Sequence, residues 1–173
     1  LNTTSGKMSK SKGEFLTVSL LEQKGYDPLA YRLFCLQSHY RKNLVFTWEN
    51  LDNAMGTYQK LIAKIAALKP SDEPIDEDAV TALREKFNKA LGNDLNTSLG
   101  ITALYDVLKY QTNGATKLYL LDDFDKVLSL DLLKKAEEAR KKAASAKGSG
   151  GEYNIISESG EQDAAVEAKI RAR

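Results

Sequence analysis

Apolar residues recur at intervals of three and four along most of the chain, which is the spacing of amphipathic helices. The longest regular stretch predicts a helix over 48–68, begun by the capping residue Thr47. A second helix is predicted from Asp27-Pro28 to residue 40, and another begins at Asn96-Thr97. The pattern is that of a mainly helical protein.

The pattern weakens in the last third of the chain. A helical stretch over 115–121 is predicted to end there, with a new helix capped by Asp122 or Asp123. From Asp131 onward the sequence turns into Lys, Ala and Glu repeats, which predict a solvated helix that buries little. The Gly and Ser residues over 148–151 then predict a flexible linker.

Two short apolar runs, 15–18 and 44–46, are candidate strands that are long enough to pair with each other but not to form a sheet alone. Short connections elsewhere make consecutive helices antiparallel neighbours. The predicted fold is therefore mainly α, with a small α/β element followed by an antiparallel helical bundle. We place the boundaries as a basic loop over 1–13, the α/β element with its two short strands over 14–47, the bundle over 48–147, and a linker with the start of a truncated extension over 148–173.

Composition describes an ordinary globular chain, with 42% hydrophobic residues and a net charge of +1 over 173 residues. The first 50 residues hold seven Lys or Arg and four Asp or Glu, an excess that weakly favours a polyanionic partner. A single cysteine suits a reducing compartment, and no apolar run approaches the roughly 18 residues of a membrane span. Because the chain opens on Leu1 and ends within a helix-like pattern, we expect a fragment of a longer protein.

A basic loop near the start carries the strongest chemical signal. Glycines stand at both ends, Gly6 and Gly13, and three lysines lie between them, Lys7, Lys10 and Lys12. Glycine frees the backbone, and lysine ammonium groups are mobile point charges that suit phosphates. From composition alone, a disordered tail explains the same residues equally well.

The order of the residues separates these two interpretations. Residues 7–11 read KMSKS, and with 12–18 they resemble the KMSKS-x-G-x-F-x-T pattern of cysteinyl-tRNA synthetases, which are class I aminoacyl-tRNA synthetases. One departure is Asn43, which stands where the family usually has proline. Three later segments resemble the family in the same order, and they are Tyr26–Phe34, Ser38–Leu51 and Asp94–Thr97.

This resemblance implies an enzyme that activates L-cysteine with ATP and Mg²⁺ and transfers it to tRNA(Cys). It places the catalytic Rossmann domain, with a zinc ion that selects the thiol, upstream of Leu1. Residues 1–13 then end the catalytic domain, 14–47 form a stem-contact fold, and 48–147 form a bundle of the class I anticodon-binding type. We expect a cytoplasmic monomer that binds tRNA(Cys) and no membrane, and a fragment without aminoacylation activity of its own.

The resemblance also assigns roles within the loop. Lys10 carries the catalytic charge, with Lys7 assisting. Negative charge grows on the phosphate oxygens during adenylate formation, and cations help as far as they bind the transition state better than ATP. ATP binding is assigned to these two lysines and to Met8, Ser9 and Ser11.

Contacts with tRNA are expected in the segment that meets the tRNA stem. Phosphate contacts from such side chains weaken with salt and are uniform across RNA sequences. The candidate residues are Arg32, His39, Arg41 and Lys42.

Two further patterns have competing explanations. Cys35 and His39 are four apart on the predicted helix and form half of a zinc site, but a whole site needs three or four ligands. We therefore expect no metal, with Cys35 as a small core residue and His39 in a structural hydrogen bond or an RNA contact. Three residues of the bundle suit contact with an unpaired anticodon, and they are Tyr105, Lys109 and Tyr110. Core packing or a solvated helix face explains each of them more simply.

Two other functions fit parts of the sequence. A related KMSKS ligase joins cysteine to an amino sugar and uses no nucleic acid. The long helical region after residue 70 speaks against this function, because such an enzyme has no anticodon to read. A non-catalytic helical interaction module is the interpretation if the motif matches are accidental.

In the complete enzyme, we expect Lys10→Ala to slow cysteine-dependent pyrophosphate exchange by about 10² to 10³, because one electrostatic donor to the transition state is lost. Filter binding of the same variant should show nearly unchanged affinity for tRNA. An unchanged exchange rate would contradict the role assigned to Lys10.

Overall fold

A computed structural model describes residues 17–146 and, as backbone alone, residues 2–3, 6–7 and 147–148. This part of the chain is mainly helical, which confirms the predicted fold class. The elements in chain order are β1 (Asn2–Thr3), β2 (Gly6–Lys7), α1 (Val18–Gln23), α2 (Pro28–Leu36), β3 (Val45–Phe46), α3 (Trp48–Ala66), α4 (Glu77–Gly92), α5 (Thr97–Lys109), α6 (Gly114–Leu128) and α7 (Leu132–Gly148).

Each helix from α1 to α6 begins beside a side chain that accepts a hydrogen bond from an amide of its first turn. Such caps satisfy donors that a helix leaves unpaired, and they set where the helix starts. The structure confirms three of the caps predicted from the sequence, Asp27, Thr47 and Asn96. The caps of α1, α4 and α6 are Thr17, Asp76 and Asn113.

Packing divides the chain into two units, residues 1–140 and residues 141–173. The first unit holds a large core in which α4 packs against α5 and α6, with the Phe87 and Phe124 rings stacked at 4.0 Å. A smaller core joins α1, α2, β3 and the start of α3 through Leu21, Phe34, Phe46, Leu51 and Ala54. None of the helices in the described part is long and apolar enough to span a membrane. The domain boundaries placed at residues 13, 47 and 147 stay predictions.

The partner of strand β3 differs from the prediction. Val45 and Phe46 pair in parallel with β1, and β1 pairs with β2 in antiparallel fashion, so the strand order is β2-β1-β3. Of the predicted partner run 15–18, residues 15 and 16 lie outside the described part. Thr17 caps α1 and Val18 is its first residue, so these two positions are committed to a helix.

The predicted helix break at Asp122 or Asp123 is wrong, because α6 runs through both residues. The buried side chains Leu120 and Phe124 continue one apolar stripe across the aspartates. Asp123 is paired with Arg84 of α4, whose Nε lies 2.9 Å from Oδ2, so the carboxylate belongs to a helix face rather than to a cap.

The break falls instead between α6 and α7, where Ser129 and Asp131 take left-handed backbone angles, with φ of 52° and 51°. Asp125 holds this turn by accepting hydrogen bonds from the Leu130 amide at 2.7 Å and from the Leu132 amide at 2.8 Å. The Leu130 carbonyl accepts a further hydrogen bond from the buried hydroxyl of a residue on α3, Tyr58, at 2.7 Å.

The first turns of α7 are buried, contrary to the prediction that the region after Asp131 buries little. Leu132 and Ala136 are fully buried in the large core, with Leu133 and Ala139 packed against it. Only from residue 141 to residue 146 is every side chain exposed. The apolar residues among the lysines and glutamates are few, but their spacing places them on one face.

Side chains from other elements satisfy carbonyl groups at the ends of four helices. Helix α2 ends at Leu36 rather than at residue 40, and its last carbonyl is held by the Thr97 hydroxyl at the start of α5. Such carbonyls have no partner within their own helix. Arg140 donates to the Ile65 and Ala66 carbonyls at the end of α3 and to the Leu68 carbonyl just after it. Lys117 donates to the Leu108 carbonyl of α5, and Arg32 donates to the Leu128 carbonyl of α6.

The connection between α3 and α4 lies directly on the start of α6. A Cβ added to Gly114 would stand 2.0 Å from the Lys69 carbonyl oxygen, so this position admits no side chain. Nearby, the Asp76 carboxylate accepts hydrogen bonds from the Ala79 amide and the Thr112 hydroxyl, and these bonds hold the pKa of Asp76 below its usual value.

We expect Gly114→Ala to lower the free energy of unfolding by about 1–3 kcal/mol, because the new methyl group forces backbone apart. Gly56→Ala is the matched control, since this helical glycine has open space around it. That substitution should raise the free energy of unfolding by about 0.4–1 kcal/mol. Urea denaturation followed by circular dichroism measures both, and effects of the same sign would contradict the close contact at Lys69.

Candidate nucleic-acid interface

His39, Tyr40 and Arg41, in the loop between α2 and β3, place their side chains around one carboxylate, Asp94. Arg41 Nε lies 2.7 Å from Asp94 Oδ2, and Arg41 Nη2 donates to Oδ1 at 3.2 Å. The Tyr40 hydroxyl donates to Oδ1 at 2.7 Å, and His39 Nε2 lies 3.7 Å from Oδ2. These four residues form the Asp94 cluster, which joins two segments that resemble the same family.

Asp94 lies in an unusual turn between α4 and α5. Its backbone is left-handed, with φ of 54°, and so is that of Leu95, with φ of 51°. A short polar residue such as aspartate tolerates this conformation better than leucine does. The contacts to the Asp94 carboxylate therefore stabilise a strained turn just before Asn96 caps α5.

The imidazole of His39 is oriented within the cluster. Its Nδ1 accepts a hydrogen bond from the Arg41 amide at 3.2 Å, so in the neutral ring the proton lies on Nε2, which faces Asp94. The ring stacks on that of Tyr40, with centroids 4.9 Å apart. His39 thus makes the structural hydrogen bond that the sequence indicated as one alternative, and its RNA contact stays a prediction.

Lys42 is the exposed cation of this loop that has no ion-pair partner among the residues the structure describes. It lines a cleft of about 290 Å³ together with His39 and the first turn of α5, where Ser98 and Leu99 lie. None of the described residues that line this cleft is acidic. The arrangement leaves one positive charge available at its edge.

Arg32 does not join the other candidates. Its Nε donates to the Leu128 carbonyl at 2.6 Å, at the end of α6, while the residue stays exposed. A cation at a helix C-terminus also interacts favourably with the helix dipole. Arg32 therefore has a structural role, and the tRNA contact proposed for it stays a prediction.

Cys35 and His39 are not on one helix, because α2 ends at Leu36. Cys35 is half-buried, packs against the smaller core and contacts Tyr31, and burial raises the pKa of its thiol. Burial also raises the pKa of Tyr31 to about 12. Within the described residues, no group of three or more His, Cys, Asp and Glu side chains is placed to hold a metal ion.

The other candidates are placed as follows. Lys7 ends strand β2, while residues 8–11 of the KMSKS run lie outside the described part, so the catalytic and ATP-binding roles stay predictions. In the bundle, Tyr105 packs against the large core with Lys64 Nζ 5.9 Å from its ring centroid. Lys109 and Tyr110 are exposed at the end of α5.

Several known proteins are similar in sequence to this chain. No protein-family model matches the chain. It is 43% identical over 133 residues to cysteine--tRNA ligase of Novosphingobium aromaticivorans, covering 75% of this chain and 27% of that protein. It is 37% identical over 126 residues to cysteine--tRNA ligase 1 of Burkholderia lata, covering 73% and 26%. Cysteine--tRNA ligase of Borreliella burgdorferi is 32% identical over 139 residues, covering 73% and 29%.

The chain belongs to the cysteine--tRNA ligase family. It spans about a quarter of the length of these curated relatives. The family predicted from the KMSKS run and the three later segments is thereby confirmed.

Sequence reasoning missed the central residue of the candidate interface in this cysteine--tRNA ligase family member. Asp94 was interpreted as part of a helix start, although Asn96 is the cap. Tyr40 was seen within a matched segment and was given no role. The segments 38–51 and 94–97 both resemble one enzyme family. That resemblance indicates a functional role for each segment but does not show that the two are in contact.

We expect Asp94→Asn to lower the free energy of unfolding by about 0.2–1 kcal/mol, because it removes an exposed ionic interaction but keeps a residue that tolerates the left-handed turn. The loss should shrink at high salt, which screens exposed charges. Asp94→Ala should cost more, since alanine neither accepts hydrogen bonds nor favours this backbone.

Urea denaturation at low and high salt measures these effects. Asp72→Asn is the control, since Asp72 is an exposed aspartate of the α3–α4 connection. A loss for Asp94→Asn no larger than for Asp72→Asn would contradict the stabilising role of the Asp94 cluster.

Proposed function

We propose that this chain is the tRNA-binding portion of a cysteine--tRNA ligase, together with the KMSKS loop at residues 7–11. The observation that carries the proposal is the Asp94 cluster, which unites the segments 38–51 and 94–97 at the surface of the helical bundle. Two segments that each resemble the same enzyme family meet there, and a cleft edged by Lys42 lies beside them.

The complete enzyme would join L-cysteine to tRNA(Cys) with ATP, releasing AMP and pyrophosphate. ATP, together with Mg²⁺, would supply the adenylyl group that activates the cysteine carboxyl group, with pyrophosphate as the leaving group, and zinc would belong to the catalytic domain expected outside this chain. Lys10 and Lys7 stabilise the charge that grows on the phosphate oxygens, while Ser9 and Ser11 donate hydrogen bonds and Met8 packs near the nucleotide. The 173-residue chain alone forms no Cys-tRNA, since it holds one side of that site.

The helical bundle and the loop before β3 hold tRNA(Cys) in the cytoplasm of the cell. Arg32, Arg41 and Lys42 meet phosphates, and His39 accepts a hydrogen bond from the Arg41 amide and lines the cleft. Arg41 is 68% exposed although it pairs with Asp94, so part of its guanidinium still faces solvent. Phosphate contacts of this kind position an RNA without reading its sequence.

We expect the 173-residue chain to bind tRNA(Cys) with an affinity that falls as salt rises, because cations displace counterions from phosphates. Filter binding against a second tRNA measures how far the bundle discriminates, and tRNA(Cys) should bind more tightly. The pair of variants Lys42→Ala and Arg41→Ala should weaken both tRNAs alike.

Absence of binding to any tRNA would contradict the proposal. It would favour the cysteine and amino-sugar ligase, or a helical interaction module. Binding without salt dependence would contradict the phosphate contacts but not the tRNA-binding function.

A further inference from the structure

A second and larger cleft shares the lining residue Leu99 with the cleft beside His39. Its volume is about 580 Å³, and it is lined by the end of α4 and the first half of α5. Leu99 lines both this cleft and the smaller one beside His39, and it is 46% exposed. The two clefts together form the Leu99 groove, whose larger part is lined by Lys86, Lys89, Ala90, Gly92, Asn93 and Thr102.

Among the described residues, those that line the groove include lysines and no acid. Lys89 is exposed and has no ion-pair partner in this part of the chain, as is true of Lys42 in the smaller cleft. Lys86 pairs with Asp106, with Nζ 2.7 Å from Oδ2, so it compensates a carboxylate within the bundle. Asp94, which follows Asn93 in the chain, is held by Arg41. Each of the two clefts is therefore lined by one exposed lysine without a described ion-pair partner.

Part of the larger cleft is apolar. Ala90 at the end of α4 and the exposed part of Leu99 contribute carbon atoms there. Asn93 and Thr102 add polar side chains to the same lining. An apolar patch in one cleft with a lysine matches a nucleotide, which has one weakly polar face in its base and a charged phosphate at its other end.

We propose that the Leu99 groove binds an unpaired stretch of the tRNA, with Lys89 at a phosphate and Leu99 against a base. This inference rests on the proposed tRNA-binding function and adds a site for which no residue was predicted. Among the described residues that line the groove, His39 has the one aromatic ring, and that ring is stacked on Tyr40. A single ring is a smaller platform than the successive rings on which single-strand binding proteins stack bases. The contact therefore positions the strand and contributes little to the choice of tRNA.

The test compares lysines that differ in position but not in exposure. Lys89→Ala is compared with Lys60→Ala, because Lys60 is also exposed within a helix and lines neither cleft. Filter binding of the 173-residue chain with tRNA(Cys) over a range of salt gives the affinity and its salt slope. Lys89→Ala should weaken binding severalfold and reduce the slope by about 0.7, as for the loss of one phosphate contact on a single strand, while Lys60→Ala should leave both unchanged.

A second variant, Leu99→Glu, places a negative charge in the groove at an exposed position, and it should weaken binding by about tenfold or more. The melting temperature of Leu99→Glu reports whether the helical bundle of this variant is intact. If the variant does not fold, the comparison of Lys89→Ala with Lys60→Ala still tests the groove. If the wild-type chain binds tRNA(Cys) tightly and Lys89→Ala binds it with the same affinity as Lys60→Ala, the proposed groove is wrong and the proposed tRNA-binding function still stands. Equal losses for both lysines would also overturn the groove, and no binding by wild type would overturn both proposals.

Discussion

The end of a helix leaves carbonyl groups without a partner in that helix, and an unpaired buried one costs about 1–3 kcal/mol. In this protein, side chains from other elements supply the missing donors for α2, α3, α5 and α6. Apolar packing brings the helices together, but these bonds decide which helix end lies beside which element. Arg140 is the clearest case, because one guanidinium serves three carbonyls at the end of α3.

The same constraint separates what the sequence could predict from what it could not. The starts of helices depend on caps such as Asp27, Thr47 and Asn96, which act two or three residues away, and these were predicted correctly. The end of α2 depends on a hydroxyl 61 residues away, and the turn before α7 on Tyr58, which is 72 residues from Leu130. In that turn Asp125 accepts from amides five and seven residues ahead, which is beyond the two or three residues of an ordinary helix cap. The local pattern therefore favours Asp122 or Asp123 over Asp125.

The candidate interface could be predicted in part for a related reason. Charge and family resemblance identified Arg32, His39, Arg41 and Lys42, but a sequence does not show whether a cation meets the protein or its ligand. In the structure Arg32 and Arg41 each contact the protein itself, whereas Lys42 has no described ion-pair partner. The meeting of two separate segments at Asp94 arises from the packing of the bundle, and neither segment encodes it alone.

The contact of Arg32 with the end of α6 has a consequence for ligands as well as for stability. A guanidinium presents five N–H donors in a rigid fork, and the Leu128 carbonyl engages Nε. The side chain of Arg32 is therefore ordered when the protein folds, which costs up to about 2 kcal/mol of rotamer entropy. Because this entropy is lost on folding, it does not reduce the affinity for an anion that binds later. A bond that closes the end of one helix thus preorganises a cation for whatever approaches its remaining edge.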